Sequence, residues 1–253
     1  MSVNKEKIID VKGLSASFGE RKILNDISFS AYANEVTVIL GSSGSGKTTI
    51  LKHLIGLYVL QHGEISIMGQ NIDKLDEEEQ DQLYLKMGVF FQNGALLNSM
   101  TVAENISLPL THQFNITGEL LDYIVRMKLR LVGLEYAFDL YPSELSGGML
   151  KRAALARAIS NDPPLLFCDE PGAGLDPVSL ASLDQLILNL KNQLGISIIL
   201  VTHEVASIKR LADRIIFLEQ GKLIFQGPLH EALNSDIEQI NSFFSQDTKK
   251  HEI

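Results

Sequence analysis

Residues 41–48 read Gly41-Ser42-Ser43-Gly44-Ser45-Gly46-Lys47-Thr48, between the apolar run Val36-Thr37-Val38-Ile39-Leu40 and the segment Thr49-Ile50-Leu51-Lys52-His53-Leu54. This is a strand, a glycine-rich loop and a helix, with the pattern G-x-x-x-x-G-K-[ST] at the junction. The glycines let the backbone curl so that several N–H groups point inward. The helix N-terminus adds its partial positive charge. Lys47 has the reach for β- and γ-phosphates, and Thr48 can place its hydroxyl on Mg²⁺. Gly41, Ser42, Ser43, Gly44, Ser45, Gly46, Lys47, Thr48 and Thr49 are therefore candidate contacts of a triphosphate. A Gly/Ser-rich turn ahead of an ordinary helix is the plain alternative, and the flanking strand and helix argue against it.

Nucleotide chemistry also needs a metal anchor and a way to activate water. Leu165-Leu166-Phe167-Cys168-Asp169-Glu170 offers both, as four apolar strand residues followed by two carboxylates at the strand's C-terminal end. Ligands of open α/β sheets bind at that edge. Asp169 is a candidate for the Mg²⁺ shell, and Glu170 for the general base that polarises the attacking water.

The chain has 253 residues, 45% of them hydrophobic, which suffices for one packed core. Its net charge of −9 and lack of a basic run oppose a nucleic-acid partner. The single cysteine, Cys168, lies in an apolar run and reads as a buried small hydrophobe; it fits a reducing compartment. Met1-Ser2-Val3-Asn4-Lys5-Glu6-Lys7 lacks the apolar core of a secretory signal. No stretch approaches the roughly 18 apolar residues that span a bilayer. A soluble, cytoplasmic chain that meets membranes through partners is expected.

Residues 7–40 alternate β-rich runs with turns, and Glu64-Ile65-Ser66-Ile67-Met68 alternates as a strand. Asp76 with Glu79 three residues later predicts a capping box and a helix start. Leu121, Ile124, Val125, Lys128 and Val132 recur at helical spacing up to Gly133, and a second helical pattern covers about 148–160. Residues 165–168 and 196–201 read as buried strands, 179–194 as a helix ended by Gly195, and 215–218 with 222–225 as a hairpin around Glu219-Gln220-Gly221. Buried strands alternating with helices predict an α/β fold with a parallel sheet covered on both faces. The expected layout is one domain over 1–253: an α/β core at about 1–92 and 161–228, a helical insert at about 93–160, and a helical tail at about 229–253 that frays at Lys249-Lys250-His251.

Further motifs give a family resemblance. Leu145-Ser146-Gly147-Gly148-Met149 is close to the LSGGQ signature of ATP-binding cassette (ABC) ATPases and opens the helix from Leu150 to Ala158. Gln92 matches the Q-loop, Gly174-Leu175-Asp176 the D-loop, His203 the switch histidine, and Phe18 the aromatic that stacks on adenine. The motifs follow the family's order from residue 8 to about 228. The resemblance implies a P-loop NTPase (RecA-like) core with an ABC-type antiparallel β subdomain and a helical insert. It also implies ATP and Mg²⁺ as cofactors, with Thr48, Gln92 and Asp169 near the metal and Glu170, His203 and Lys47 in catalysis. Two copies would pair head to tail, with Ser146, Gly147 and Gly148 of one closing over ATP held by Lys47 of the other, and Phe18, Gln92 and Asp176 among the nucleotide-binding residues. Each match has a bland counterpart: Phe18 as a strand aromatic, Gln92 as a loop polar residue, His203 as a structural histidine, Asp176 as a helix N-cap, and the glycine pair as a turn.

The text Phe90-Phe91-Gln92-Asn93-Gly94-Ala95-Leu96-Leu97-Asn98-Ser99-Met100-Thr101-Val102-Ala103-Glu104-Asn105-Ile106, together with Met149 and Tyr141-Pro142-Ser143-Glu144, resembles the ATPases of Mla-type phospholipid transporters of the MCE group. That resemblance implies a membrane permease dimer, an MCE-domain lipid carrier and a small STAS-domain protein as partners, with phospholipid moved between bacterial membranes. The chain would be peripheral on the cytoplasmic face of the inner membrane. An importer ATPase for a small solute such as an amino acid shares every catalytic residue. A soluble ABC protein of DNA repair or translation would carry tandem cassettes or long coiled coils, and a regulatory module without turnover would not need Glu170 and His203. Gly172-Ala173-Gly174 departs from the serine or threonine common near the D-loop, and Met149 removes a polar group that would face ribose. Phe243-Phe244 in the tail meets either a partner or its own core.

Overall fold

The computed structural model describes residues 5–245. In chain order the elements are β1 (Lys7–Phe18), β2 (Arg21–Tyr32), β3 (Val36–Gly41), α1 (Lys47–Leu54), β4 (His62–Ile67), β5 (Gln70–Asn71), α2 (Glu77–Tyr84) and β6 (Met87–Phe90). Next come α3 (Val102–Phe114), α4 (Gly118–Leu131), α5 (Gly147–Ala158), β7 (Leu165–Asp169) and α6 (Pro177–Leu194). The chain continues with β8 (Ser197–Val201), α7 (Val205–Leu211), β9 (Arg214–Glu219), β10 (Lys222–Pro228), α8 (Leu229–Leu233) and α9 (Glu238–Ser245). Residue contacts divide it into two compact units: residues up to Gln80 with those from Ser197 onward, and Asp81–Ile196.

The first unit holds an antiparallel sheet in the order β2-β1-β4-β5. It also holds the strand series β10-β9-β3-β8, where β3 runs parallel to both neighbours and β9–β10 is the expected hairpin. β1 and β2 each run for 12 residues, longer than the short runs the turn residues suggest, because pairing carries the ladder through register shifts between Lys7 and Ile9, between Val11 and Leu14, and on to Ser17. Every residue of β3 is buried. Each fully buried Val, Ile or Leu contributes about 1.5–3 kcal/mol, so this strand is a firm base for whatever leaves its end. Its start is pinned too: the Val36 amide donates to Asp213 Oδ2 (2.7 Å), and the Asp213 amide to the Val36 carbonyl (2.9 Å).

Gly41 closes β3 at φ 146°. A Cβ there would sit 2.0 Å from the Leu218 carbonyl oxygen on β9. Only glycine lets the chain turn off the sheet at this point.

The second unit pairs β6 with β7 in parallel, Phe90 opposite Cys168, and packs helices beside them. α4 ends where the periodicity predicts, with Gly133 left-handed beyond it. α6 begins at Pro177, two residues before the expected start, because Asp176 accepts from the amides of Val178 and Ser179 at 3.0 Å each. The Asp76 capping box forms as predicted, with bonds of 2.9 and 3.1 Å to and from Glu79. A second box joins Thr101 and Glu104 at the start of α3, carrying the same S/T-x-x-E signal.

Asn105, fully buried on α3, organises the segment before that helix. Its Oδ1 accepts from the Leu97 amide (2.7 Å), and its Nδ2 donates to the carbonyls of Leu97, Met100 and Thr101 (2.9–3.2 Å). Asn105→Ala would strand several main-chain groups at once, and we expect a loss of about 2–4 kcal/mol in urea unfolding. A change below about 0.5 kcal/mol would show that water replaces the side chain freely.

The described part of the tail is two short helices, α8 and α9, separated by residues 234–237. Phe243 packs edge-on against Phe217 (5.5 Å) and Phe244 (5.4 Å), and Phe244 is nearly buried, so the aromatic pair meets its own core. The expected fraying at Lys249-Lys250-His251 lies outside the described residues. Among the described residues no helix is long and apolar enough to cross a membrane.

Candidate functional site

In the first unit the phosphate-loop residues follow β3 directly, and α1 starts at Lys47 behind a left-handed Gly46. Lys47 Nζ donates to the carbonyls of Gly41 and Ser42, both at 2.9 Å, which holds the ammonium over its own loop. Parallel pairing of β3 with β8, Ile39 opposite Val201, brings Thr202 and His203 out at the same sheet edge as the loop. The His203 ring is largely exposed, with Nε2 3.5 Å from Glu204 Oε1. A cleft of about 330 Å³ opens beside the loop, lined by Ser42–Ser45, by Arg21 and Lys22 at the start of β2, and by Gln220 and Gly221 from the β9–β10 turn. Two cations beside the glycine-rich loop suit an anion despite the acidic balance of the whole chain. These two cations were not among the residues read from sequence, where only the proximity of Phe18 pointed to them.

Phe18 ends β1 and is 49% exposed, so about half of its surface is open to solvent. Tyr58 lies edge-on to it at 5.3 Å. Beneath is His53 on α1, 2% exposed, with Nδ1 3.2 Å from the Tyr58 carbonyl and Nε2 without a partner. Burial lowers the His53 pKa below 6.5, partly offset by that carbonyl. The unfolded chain therefore takes up the proton more readily than the folded one. Stability is full above the unfolded pKa and falls as pH drops from there through the lower folded value. We expect the thermal midpoint to fall between pH ~7.5 and pH ~5.5 less in His53→Leu than in the parent chain. Equal falls in both would remove His53 from the acid sensitivity.

In the second unit the register of β6 and β7 delivers two candidates together. Gln92 lies two residues past Phe90, and Glu170 two residues past its partner Cys168. Glu170 adopts a left-handed backbone, φ 44°, which costs a non-glycine residue about 1–3 kcal/mol and tends to mark functional positions. Lys151 on α5 donates to the Gln92 carbonyl and lies over the Phe90 ring at 5.6 Å. Burial lowers its pKa, and the negative charge of Glu170 opposes that shift. Arg157, a turn and a half further along α5, donates to the carbonyls of Gly94 (2.9 Å) and Ala95 (2.7 Å). The Gln92 segment is thus tied to α5 at both ends, through contacts about 60 residues apart in sequence. Burial pushes the Cys168 thiol up, so it stays protonated, as its apolar run predicts.

Ser146 caps α5, its Oγ accepting from the Met149 amide at 3.3 Å. Gly147 and Gly148 have ordinary helical backbones, and a Cβ at either would meet nothing within 4 Å. Nothing inside the chain requires glycine at this corner; close approach by an outside group would. Asp176 is an N-cap, and hydrogen bonds from Ser179, side chain first, hold its carboxyl below the usual range. The bland reading of Asp176 thus describes a job it does here. Among the described residues no three His, Cys, Asp or Glu side chains cluster as a metal cage. Thr48, Gln92 and Asp169 nevertheless all offer oxygen, the donor type Mg²⁺ takes, and Mg²⁺ is commonly held by one or two carboxylates plus substrate phosphates. Each of the three residues taken by itself therefore offers the donor type that suits that ion.

Residues 24–173 match the family described as ABC transporter. The intermembrane phospholipid transport ATP-binding protein MlaF of Escherichia coli K12 is 38% identical over 227 residues, covering 90% of this chain and 84% of that protein. The probable ribonucleotide transport ATP-binding protein mkl of Mycobacterium leprae is 42% identical over 94% of this chain; the match spans 68% of the mycobacterial protein. Among solved structures, a dimeric ATP-binding cassette in a post-hydrolysis state with ADP and Pi superimposes with a TM-score of 0.79, at 29% identity over 87% of this chain and 98% of that one. The chain belongs to the ABC transporter family. It is the ATPase subunit type of that family, an ATP hydrolase on a P-loop α/β fold, and the resemblance to Mla-type ATPases holds.

Proposed function

We propose that this chain binds and hydrolyses ATP to power a membrane ABC transporter that moves phospholipid between bacterial membranes. The observation that carries the lipid reading is the similarity to MlaF along 90% of the chain. The family match runs through residues of both compact units, which favours treating 1–253 as one cassette with its α/β core at about 1–92 and 161–228, a helical subdomain at about 93–160 and a tail at about 229–253.

In this reading Lys47 and the amides of Gly41–Thr49 grip the triphosphate, Phe18 stacks on adenine, and Glu170 takes the proton of the attacking water. His203, at the edge shared with the loop, takes part in catalysis along with Glu170 and Lys47. Thr48, Gln92 and Asp169 would hold Mg²⁺, which when bound neutralises phosphate charge. Ser146, Gly147 and Gly148 reach ATP on a second copy, and the open space at the two glycines and the dimeric relative both favour that pairing. ATP then joins two copies and its hydrolysis releases them, which is differential affinity of a ligand for two states. The remaining partners are permease subunits, an MCE-domain carrier and a STAS-domain protein, with the chain peripheral on the cytoplasmic face of the inner membrane and no nucleic acid involved.

The second reading is an importer for a small solute such as an amino acid; the name of the mycobacterial relative gives a small solute, a ribonucleotide, as what that protein's system transports. Isolating the chain with its permease and extracting the complex for mass spectrometry separates the two. Phospholipid held in the complex is expected; a soluble receptor for a nucleotide, sugar or amino acid in its place would overturn the lipid reading.

A further inference from the structure

We propose that Tyr58 and Gln61 are positioning residues for nucleotide binding: they hold Phe18 in its stacking place and tie it to the helix that begins at Lys47. This rests on the reading of Phe18 as the adenine platform. Main-chain pairing of β1 with β4 reaches Ser15 opposite His62. Beyond it the Gln61 side chain takes over. The Ser17 amide donates to Gln61 Oε1 at 2.9 Å, and Gln61 Nε2 donates to the Ser17 carbonyl at 3.2 Å. One carboxamide thus completes both main-chain groups of the residue before Phe18, as a neighbouring strand would.

Tyr58 supports the ring itself, edge to face at 5.3 Å and 68°, a favoured aromatic geometry. Tyr58 is in turn fixed to α1. Its amide donates to the Lys52 carbonyl (3.1 Å), its hydroxyl accepts from Lys52 Nζ (3.3 Å), and the same ammonium lies 5.1 Å from the ring centroid. The His53 ring also packs against Tyr58, centroid to centroid at 5.6 Å. Lys52 and His53 lie on the helix whose first residue is Lys47. The half-exposed Phe18 is therefore oriented before any ligand arrives, and its orientation is set from the phosphate-gripping helix. Pre-ordering of this kind raises affinity by reducing what binding must immobilise.

The test titrates the full-length chain with ATP and, separately, with inorganic tripolyphosphate, which has no base. Tyr58→Ala is expected to weaken ATP about 3- to 10-fold, while tripolyphosphate binding stays unchanged. Tyr58→Phe keeps the ring edge and should stay within about 2-fold of the parent for ATP. Gln61→Ala, at an exposed position, should shift ATP in the same direction as Tyr58→Ala. On a Phe18→Ala background, Tyr58→Ala should add nothing, because its effect passes through that ring. Equal losses for ATP and tripolyphosphate in both Tyr58→Ala and Gln61→Ala would overturn the proposal as general damage to the loop. Weaker ATP binding in Phe18→Ala with none in Tyr58→Ala or Gln61→Ala would overturn it while leaving the platform reading intact. Unchanged ATP binding in Phe18→Ala would overturn the platform reading and this inference with it.

Discussion

Glu170→Gln is expected to lower the turnover number for ATP by about 10²–10⁴-fold, the range attributed to a positioned general base. ATP affinity should change little. The carboxamide has the size of the carboxylate and almost none of its basicity, so the substitution removes the proton acceptor and little else. Glu170 is held in a left-handed conformation directly after β7, and Asp169 before it is left intact. Lys151 loses the negative charge that opposes its burial, so a modest drop in thermal stability should accompany the kinetic loss. Phosphate release at saturating ATP is the measurement. Activity within a few-fold of the parent would remove Glu170 as the base.

Lys47→Ala acts one step earlier and should largely abolish nucleotide binding. The ammonium is bound to the Gly41 and Ser42 carbonyls at 2.9 Å, so its position over the loop is already fixed and little ordering is needed when phosphate arrives. Charge-assisted hydrogen bonds contribute about 1.5–3 kcal/mol each. Losing two to phosphate oxygens corresponds to about a 10²-fold or larger rise in the ATP dissociation constant. The same substitution leaves two loop carbonyls without this donor, so a small structural cost is expected as well. Near-normal ATP binding would count against the phosphate-loop assignment, whatever the activity.

The parts of this molecule that local chemistry dictates were readable in the sequence. The β3–loop–α1 junction, the Asp76 cap, the C-terminal ends of α4 and α6, and the β9–β10 hairpin each depend on a few neighbouring residues. Cys168 was readable as buried for the same reason. What escaped depends on contacts between distant residues. The length of β1 and β2 comes from their mutual pairing, which turn residues alone do not reveal. Asp176 and Thr101 carry ordinary cap signals, yet only the structure shows that Asp176 is committed to one. The supports of the candidate site were the least visible. Gln61 serves Ser17 from 44 residues away, and Lys151 serves Gln92 from 59. No spacing rule links such pairs, because topology and not helix or strand period brings them together. Arg21 and Lys22 belong to the same class: they open β2, and their place beside Ser42–Ser45 follows from tertiary packing and not from local spacing.

The claim of a nucleotide shared between two copies is tested most directly by the mass of Glu170→Gln in solution, with ATP and with ADP, compared with the same protein carrying Gly147→Asp. An aspartate in the first turn of α5 suits the helix, and a Cβ there meets nothing in the chain, so folding and ATP binding should persist. A species of twice 28.0 kDa is expected with ATP, absent with ADP, and lost in the Gly147→Asp protein. An ATP-dependent dimer that survives Gly147→Asp unchanged would contradict the account, since the glycine corner would then be facing away from the other copy's triphosphate.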